Sequence, residues 1–231
     1  LSICVLTGLA YRSSSSVLEE QASKNMQSVL VFRGDMLRER LEQLENQAGS
    51  VARIESLQMA AVSLRSGWGT IQKSSGDAKA ELQRVFVAQN KFGAEREKLT
   101  KPDSPSGFYY STHETVQTEV AALLKTVPFS DVLFADPTGN VYYSYRKGTA
   151  FAENIASGNW AQSGLGIAFA RGVENAGKAV EDVAATSFSG LTIDPATNEA
   201  GIYFGVPVVK YGAFKGIIIF SVRSEIFAQI M

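Results

Sequence analysis

The chain is poor in the residues that most often carry catalysis and metal binding. Among 231 residues there are one cysteine, Cys4, and one histidine, His113. A lone thiol excludes an internal disulfide framework and a thiolate zinc site, and a lone imidazole excludes any two-histidine metal arrangement. No cofactor-binding motif is expected. Charge of one sign is also lacking: 22 Lys and Arg stand against 23 Asp and Glu, a formal net charge of −1. Without a basic excess or a run of Lys and Arg, no nucleic-acid partner is expected. Long hydrophobic runs are scarce as well. LSICVLTGLAY, Leu1 to Tyr11, is uncharged, but a spanning helix needs roughly 20 apolar residues. It reads as the outer end of a transmembrane helix, the alternative being a buried helical end within a soluble bundle.

What is present is helical periodicity followed by strand periodicity. No proline interrupts the segment from Ser13 to Arg65. Leu30, Leu37, Leu44 and Val51 recur at heptad spacing, with Leu41 and Ala48 beside them, the stripe of a long helix that packs on partner helices or on its own copy. Gly34 and Gly49 are the places where it would break into two. SGWG (Ser66–Gly69) and SSGD (Ser74–Asp77) read as punctuation. Asp77 is placed to cap a second helix with Leu82, Val85, Phe86 and Phe92 on one face. A third helix is expected from Ser111, which with Glu114 makes a capping box. It carries Val116, Val120, Leu123, Leu124 and Val127 and stops at Pro128.

After Pro128 the period changes to two. SDVLFAD and NVYYSYRK, Ser130–Asp136 and Asn140–Lys147, flank Pro137-Thr138-Gly139 as a hairpin with a short loop. A helix is expected around Trp160 to Asn175. Strands are expected at Val183–Phe188, Gly201–Lys210 and Phe214–Arg223. The fold class is therefore α+β: long helices at 1–127, then a five-stranded sheet domain at 128–231.

Chemistry is thinly represented. Ser, Thr and Asp are available as nucleophiles, but the only imidazole, His113, reads as a surface or helix-end hydrogen bonder. Asp131 and Asp136 read as strand-end residues. SGLGIAFARG, Ser163 to Gly172, lacks the Lys-Ser/Thr of a phosphate loop, and its glycines fit close helix packing. The chain is not expected to be an enzyme; a hydrolase is the weaker reading. Binding is better supported. Strict alternation puts Tyr143, Tyr145 and Lys147 on one face of the hairpin strand and Tyr142, Ser144 and Arg146 on the other. Aromatic walls with a few cations and hydroxyls suit a small organic molecule, particularly an anion. The bland alternative is that strands favour tyrosine.

The pattern of Tyr143, Ser144, Lys147, Phe151 and Asn154 resembles the hairpin and following loop of Cache-type, PAS-like sensor domains of bacterial methyl-accepting chemotaxis proteins and related receptors. The resemblance runs on through SGLGIAFARG and IYFGVPVV to the closing GIIIFSVRSEIFAQIM, covering about residues 108–231. It implies a single Cache domain, with a five-stranded antiparallel sheet, a ligand pocket on one face and a long front helix continuing from a first membrane span. A second span would follow Met231. It also implies dimerisation through the long helices, a periplasmic position at the bacterial inner membrane, and signalling by helix displacement. Tyr143, Tyr145 and Lys147 are then expected on the pocket wall, with Lys147 countering a ligand carboxylate and Trp160, Tyr203 and Phe204 opposite. Two features depart from the family pattern. Gly148, Thr149 and Ala150 follow the lysine where acidic residues are usual, and the helical portion before Ser111 is longer. The competing reading is a dimerising or partner-binding ectodomain without a direct small ligand. The sensor region of a histidine kinase or cyclase is the nearer alternative.

Overall fold

The structure, a computed structural model, describes residues 2–193, 198 and 200–222, with side chains from residue 20 onward. Cys4, the side chains of the first apolar run and the closing segment after Val222 lie outside the described side chains. Among the described residues, no helix is long and apolar enough to cross a membrane.

The first helix, α1 (Ser2–Ala52), is unbroken. Gly34 and Gly49 do not interrupt it, and Gly49 has a packing reason. A Cβ there would lie 2.9 Å from Thr186 Oγ1. Contacts divide the chain at Gln43/Leu44, within α1, and the second unit runs to Phe227. The leucine series behaves differently in the two units. In the second, Leu44, Ala48 and Val51 are buried; in the first, Leu30 and Leu37 are exposed. The helices after Leu44 belong to the same compact unit as the sheet.

α2 (Glu55–Ser75) runs straight through Ser66–Gly69. The expected punctuation fails there because Gly67 is where Tyr109 approaches: a Cβ at Gly67 would sit 2.8 Å from the Tyr109 Cβ. Close packing outweighs the ~1 kcal/mol that glycine costs a helix. Gly76, with φ of 79°, ends α2 by donating to the Gln72 carbonyl, a left-handed helix stop. Asp77 then caps α3 (Ala78–Gln83), its Oδ1 accepting from the Ala80 N–H at 2.9 Å. One turn of π-helix, Arg84–Ala88, follows and buries Val85 and Phe86, whereas Phe92 lies beyond it and is exposed. α4 (Phe108–Leu123) starts three residues before the expected cap. Ser111 is inside the helix, donating to the Gly107 and Phe108 carbonyls, and Glu114 pairs with Lys101. The capping box does not form.

Five strands, β1 (Phe129–Ala135), β2 (Val141–Ser144), β3 (Ser187–Ile193), β4 (Ala200–Lys210) and β5 (Ala213–Val222), make one antiparallel sheet in the order β2-β1-β5-β4-β3. α5 (Gly164–Ala176) connects the two halves and packs on β3, β4 and β5. Its glycines permit that approach. A Cβ at Gly172 would meet Ile217 Cδ1 at 2.6 Å, and one at Gly205 would meet the Ala168 carbonyl at 2.9 Å. The α5 face carries Leu133, Ala135, Val141, Ile217 and Ile219 in a cluster with Leu165, Ala168 and Phe169. Alternation turns Val132, Phe134, Ile218 and Phe220 to the other face, and all four are buried too. Coverage on both faces explains why β5 reads as a continuous apolar run.

Candidate functional site

Past the N-terminal end of α5, the α5 face of the sheet opens into a cleft of about 730 Å³. Its floor is a lateral row across three strands. Asp131 of β1 pairs in register with Ser221 of β5, which pairs with Tyr203 of β4. Leu133, Ser144 and Leu165 complete the floor, and residues 145–151 form a rim through Tyr145, Arg146, Thr149 and Phe151. Glu97 and Lys125 stand at the mouth.

Asp131 is the chemical centre of this floor. It occupies the inward register of β1, two residues before Leu133, and is 8% exposed. Its Oδ1 accepts from the backbone N–H groups of Val132 (2.8 Å) and Arg146 (3.1 Å), and its Oδ2 from Ser144 Oγ (2.9 Å). Burial pushes its pKa above the ordinary carboxylate value, opposed by these hydrogen bonds and by the charge of Lys147. A carboxylate has about four acceptor positions, and three donors leave one for a ligand. Asp131 also organises the rim, because Ser144 Oγ in turn accepts from the Lys147 N–H at 2.9 Å.

A bulge decides where the hairpin side chains go. Ala135 pairs with Val141 but Phe134 pairs with Tyr143, so Tyr142 is an extra residue. Both Tyr142 and Tyr143 therefore lie against Phe134, with ring centroids 6.2 and 4.8 Å from it. Their hydroxyls reach the helical side: Tyr142 donates to the Ala61 carbonyl of α2, and Tyr143 to Gln117 Oε1 of α4, each at 3.0 Å. After the bulge, Ser144 and Tyr145 return to the cleft. The strict alternation expected from NVYYSYRK is thus corrected by one inserted residue. Tyr143 is buried against Phe134, whereas Tyr145, one residue past the end of β2, lines the cleft.

Lys147 is also placed away from the cleft. It is fully buried with φ of 51°. Its ammonium donates to Gln117 Oε1 at 2.5 Å and to the Tyr145 carbonyl at 3.2 Å, and lies 5.6 and 5.7 Å from the Tyr143 and Phe86 ring centroids. Burial lowers its pKa to about 7, although Asp131 and Glu97 pull upward. Lys147, expected to counter a ligand carboxylate, is not among the residues that line the cleft. Beside it, His113 is fully buried rather than at the surface. Its ring nitrogen Nδ1 pairs with the Thr100 carbonyl at 2.6 Å, so Nδ1 carries the proton, and Nε2 is buried without a partner. Burial and the Lys147 charge hold its pKa well below the usual imidazole value.

Of the six expected ligand-contact residues, the structure brings Tyr145 and Tyr203 together on the cleft. Tyr143, Lys147 and Phe204 are buried in the sheet's other packing. Trp160 lines a separate groove. The cleft also holds Asp131 and Ser144, which were not expected to meet a ligand, and Arg146, which was expected with the residues to Asn154 to frame the pocket entrance. The available signal was Asp131 itself, a carboxylate on the same strand face as Leu133 and Ala135. Among the described residues, no cluster of His, Cys, Asp and Glu is arranged to hold a metal ion.

No family model and no curated protein matches the chain. Solved structures with partial likeness include an extracellular ligand-binding receptor from Desulfohalobium retbaense, 16% identical with a TM-score of 0.35. Others are the sensor domain of the V. cholerae histidine kinase DctB (13%, 0.36) and the ligand-binding domain of the Pseudomonas aeruginosa amino acid chemoreceptor PctC in complex with GABA (16%, 0.34). The alignments cover 70%, 72% and 70% of this chain, but only 25%, 58% and 61% of those chains. With TM-scores below 0.5, they add nothing to the fold assignment beyond what the strand order establishes.

Proposed function

We propose that the chain is the extracytoplasmic ligand-sensing domain of a bacterial transmembrane receptor, a PAS-like module of the chemoreceptor type, and not an enzyme. The observation that carries this reading is the cleft on the α5 face, floored by Asp131 and Tyr203 and rimmed by residues 145–151. The rim is fastened to the helical side by several hydrogen bonds. Lys147 Nζ bonds Gln117 of α4, and the Lys147 carbonyl accepts from Arg96 at 3.2 Å. A ligand bridging floor and rim would favour one position of residues 145–151, and so one arrangement of α4 and the 84–98 segment. That is a population shift with a physical connection.

The ligand class follows from the cleft's charges. With Lys147 directed elsewhere, a small organic molecule would offer a donor to Asp131 Oδ2 and an acceptor or anionic end to Arg146 and Lys125. The domain would face the periplasm, with the receptor held in the inner membrane. The same ectodomain would also serve a histidine kinase or a cyclase. A thermal-shift screen of small metabolites tests the reading, since binding to the native state raises the melting midpoint. At least one compound is expected to stabilise the protein, and its effect should disappear in Tyr203→Ala. A complete screen without a stabilising compound would count against direct sensing.

A specific observation also favours homodimerisation. Met26, Val29, Leu30, Phe32, Met36 and Leu37 of α1 are all exposed large apolar residues. Such a concentration on one helix stretch marks an interaction surface. Sedimentation of the whole chain is expected to show a dimer, and Leu30→Glu with Leu37→Glu a monomer. An unchanged dimer would move the interface elsewhere.

A further inference from the structure

A second groove, of about 440 Å³, shares no lining residue with the cleft. It is lined by Trp68 of α2, by Trp160 of the short 3-10 turn Gly158–Gln162, and by Lys79, Glu153, Asn154 and Asn159. These are the only two tryptophans in the chain. Both are half-buried, and Trp160 packs against the core cluster beneath the sheet. Among the described residues, no hydrogen bond is made by either indole N–H.

The polar groups of the groove are held in place. Lys79 Nζ and Glu153 Oε2 are 2.7 Å apart, and Gln83 Nε2 donates to Glu153 Oε1 at 3.0 Å. The Asn154 amide donates to the Thr138 carbonyl and to Asn140 Oδ1, and its Oδ1 accepts from the Ala156 N–H. The groove is thus pre-organised, and its one cation and one anion cancel. An anionic ligand would face Glu153, and a cationic ligand would face Lys79. A wholly apolar ligand would desolvate both charges and the Asn159 amide without replacing their hydrogen bonds. What satisfies all of these surfaces is a neutral ring that is apolar on its faces and carries donors and acceptors around its edge. That is the chemistry of a pyranose: its C–H faces stack on indole, and its hydroxyls pair with amide, ammonium and carboxylate groups.

We propose that this groove is a saccharide-binding site, independent of the sensing cleft. Because both tryptophans line it, intrinsic fluorescence reports on it directly. The intact chain would be titrated with maltose, cellobiose and N,N′-diacetylchitobiose, following tryptophan emission. At least one sugar is expected to give a saturable change, and Trp68→Ala to weaken its binding about five- to tenfold, the loss of one stacking face. Lys79→Ala, on a side chain 49% exposed, retains both reporters and the fold, and is expected to weaken binding severalfold should Trp68→Ala fail to fold. No saturable change with any of the three sugars would overturn the proposal. So would binding of undiminished affinity in Lys79→Ala and in folded Trp68→Ala.

Discussion

Lys147→Met is expected to stabilise the protein at pH 7 and to flatten the rise of its stability between pH 7 and 9. The lysine is fully buried, and burial brings its pKa from 10.5 to about 7. Each unit of difference between folded and unfolded states is worth about 1.4 kcal/mol, so holding this side chain costs on the order of 4 kcal/mol at pH 7. The sign follows from proton binding. Between pH 7 and 10.5 the unfolded chain holds the Lys147 proton more often than the folded one, so stability rises with pH across that window. Above about pH 10 the buried phenols of Tyr109, Tyr142 and Tyr143, whose pKa values burial raises, ionise first in the unfolded chain and reverse the trend. His113, lowered by burial, adds a loss of stability as the pH falls through about 6.5. Asp131, with its pKa raised, contributes in the opposite sense near the carboxylate range, below this window.

Methionine leaves little behind unsatisfied. Gln117 Oε1 still accepts from Tyr143, and the Tyr145 carbonyl still accepts from Gln117 Nε2 at 3.0 Å. After allowing for two lost hydrogen bonds at about 1 kcal/mol each, the net gain at pH 7 is roughly 2 kcal/mol. Urea denaturation of both proteins at pH 7, 8 and 9 checks this. Parallel pH dependences would show that Lys147 is not the titrating group.

Tyr143→Ala and Tyr145→Ala are expected to fail in different ways, although the two residues are only two positions apart. Tyr143 is fully buried, stacked on Phe134 at 4.8 Å and bonded to Gln117. Removing its ring should cost about 3–5 kcal/mol, as for other buried aromatics, and Tyr143→Phe about 1 kcal/mol for the hydroxyl. Tyr145 is half-buried at the cleft rim. Its truncation should cost under about 1 kcal/mol of stability while weakening ligand binding. Equal losses of stability in the two variants would mean that Tyr145 is packed as deeply as Tyr143.

That pair of tyrosines shows how far the sequence could be read. The long helix, the Asp77 cap, four of the strands and the α+β class follow from local signals: proline-free heptads, a capping carboxylate, alternating apolar residues and turn residues such as Pro137 and Gly139; the third strand, expected at Val183–Phe188, lies at Ser187–Ile193. The bulge does not follow from such signals. One inserted residue leaves the composition of NVYYSYRK unchanged but turns Tyr142 to the same side as Tyr143, against Phe134, and β2 ends at Ser144, before Tyr145. Helix ends were misread where tertiary contact prevailed over local preference. Gly67 looks like a break until Tyr109 is seen packed on it, and Ser111 looks like a cap until α4 begins at Phe108. Lys147 and His113 were misplaced for a related reason. Full burial of lysine is rare, and the burial of Lys147 and His113 is created by partners remote in sequence, Gln117 and Thr100.

The cleft was legible only in outline. Tyr145 and Tyr203 carry aromatic signals, whereas Asp131 looks like an ordinary strand-end residue unless its register with Leu133 and Ala135 is followed. The most direct measurement is therefore a calorimetric titration of a stabilising metabolite into the wild-type protein, Asp131→Asn and Lys147→Met. The expected result is a loss of affinity of about tenfold or more in Asp131→Asn, the cost of a charge-assisted hydrogen bond, with Lys147→Met close to wild type. Unchanged affinity in Asp131→Asn together with lost binding in Lys147→Met would place the ligand on the other side of the sheet and contradict the account.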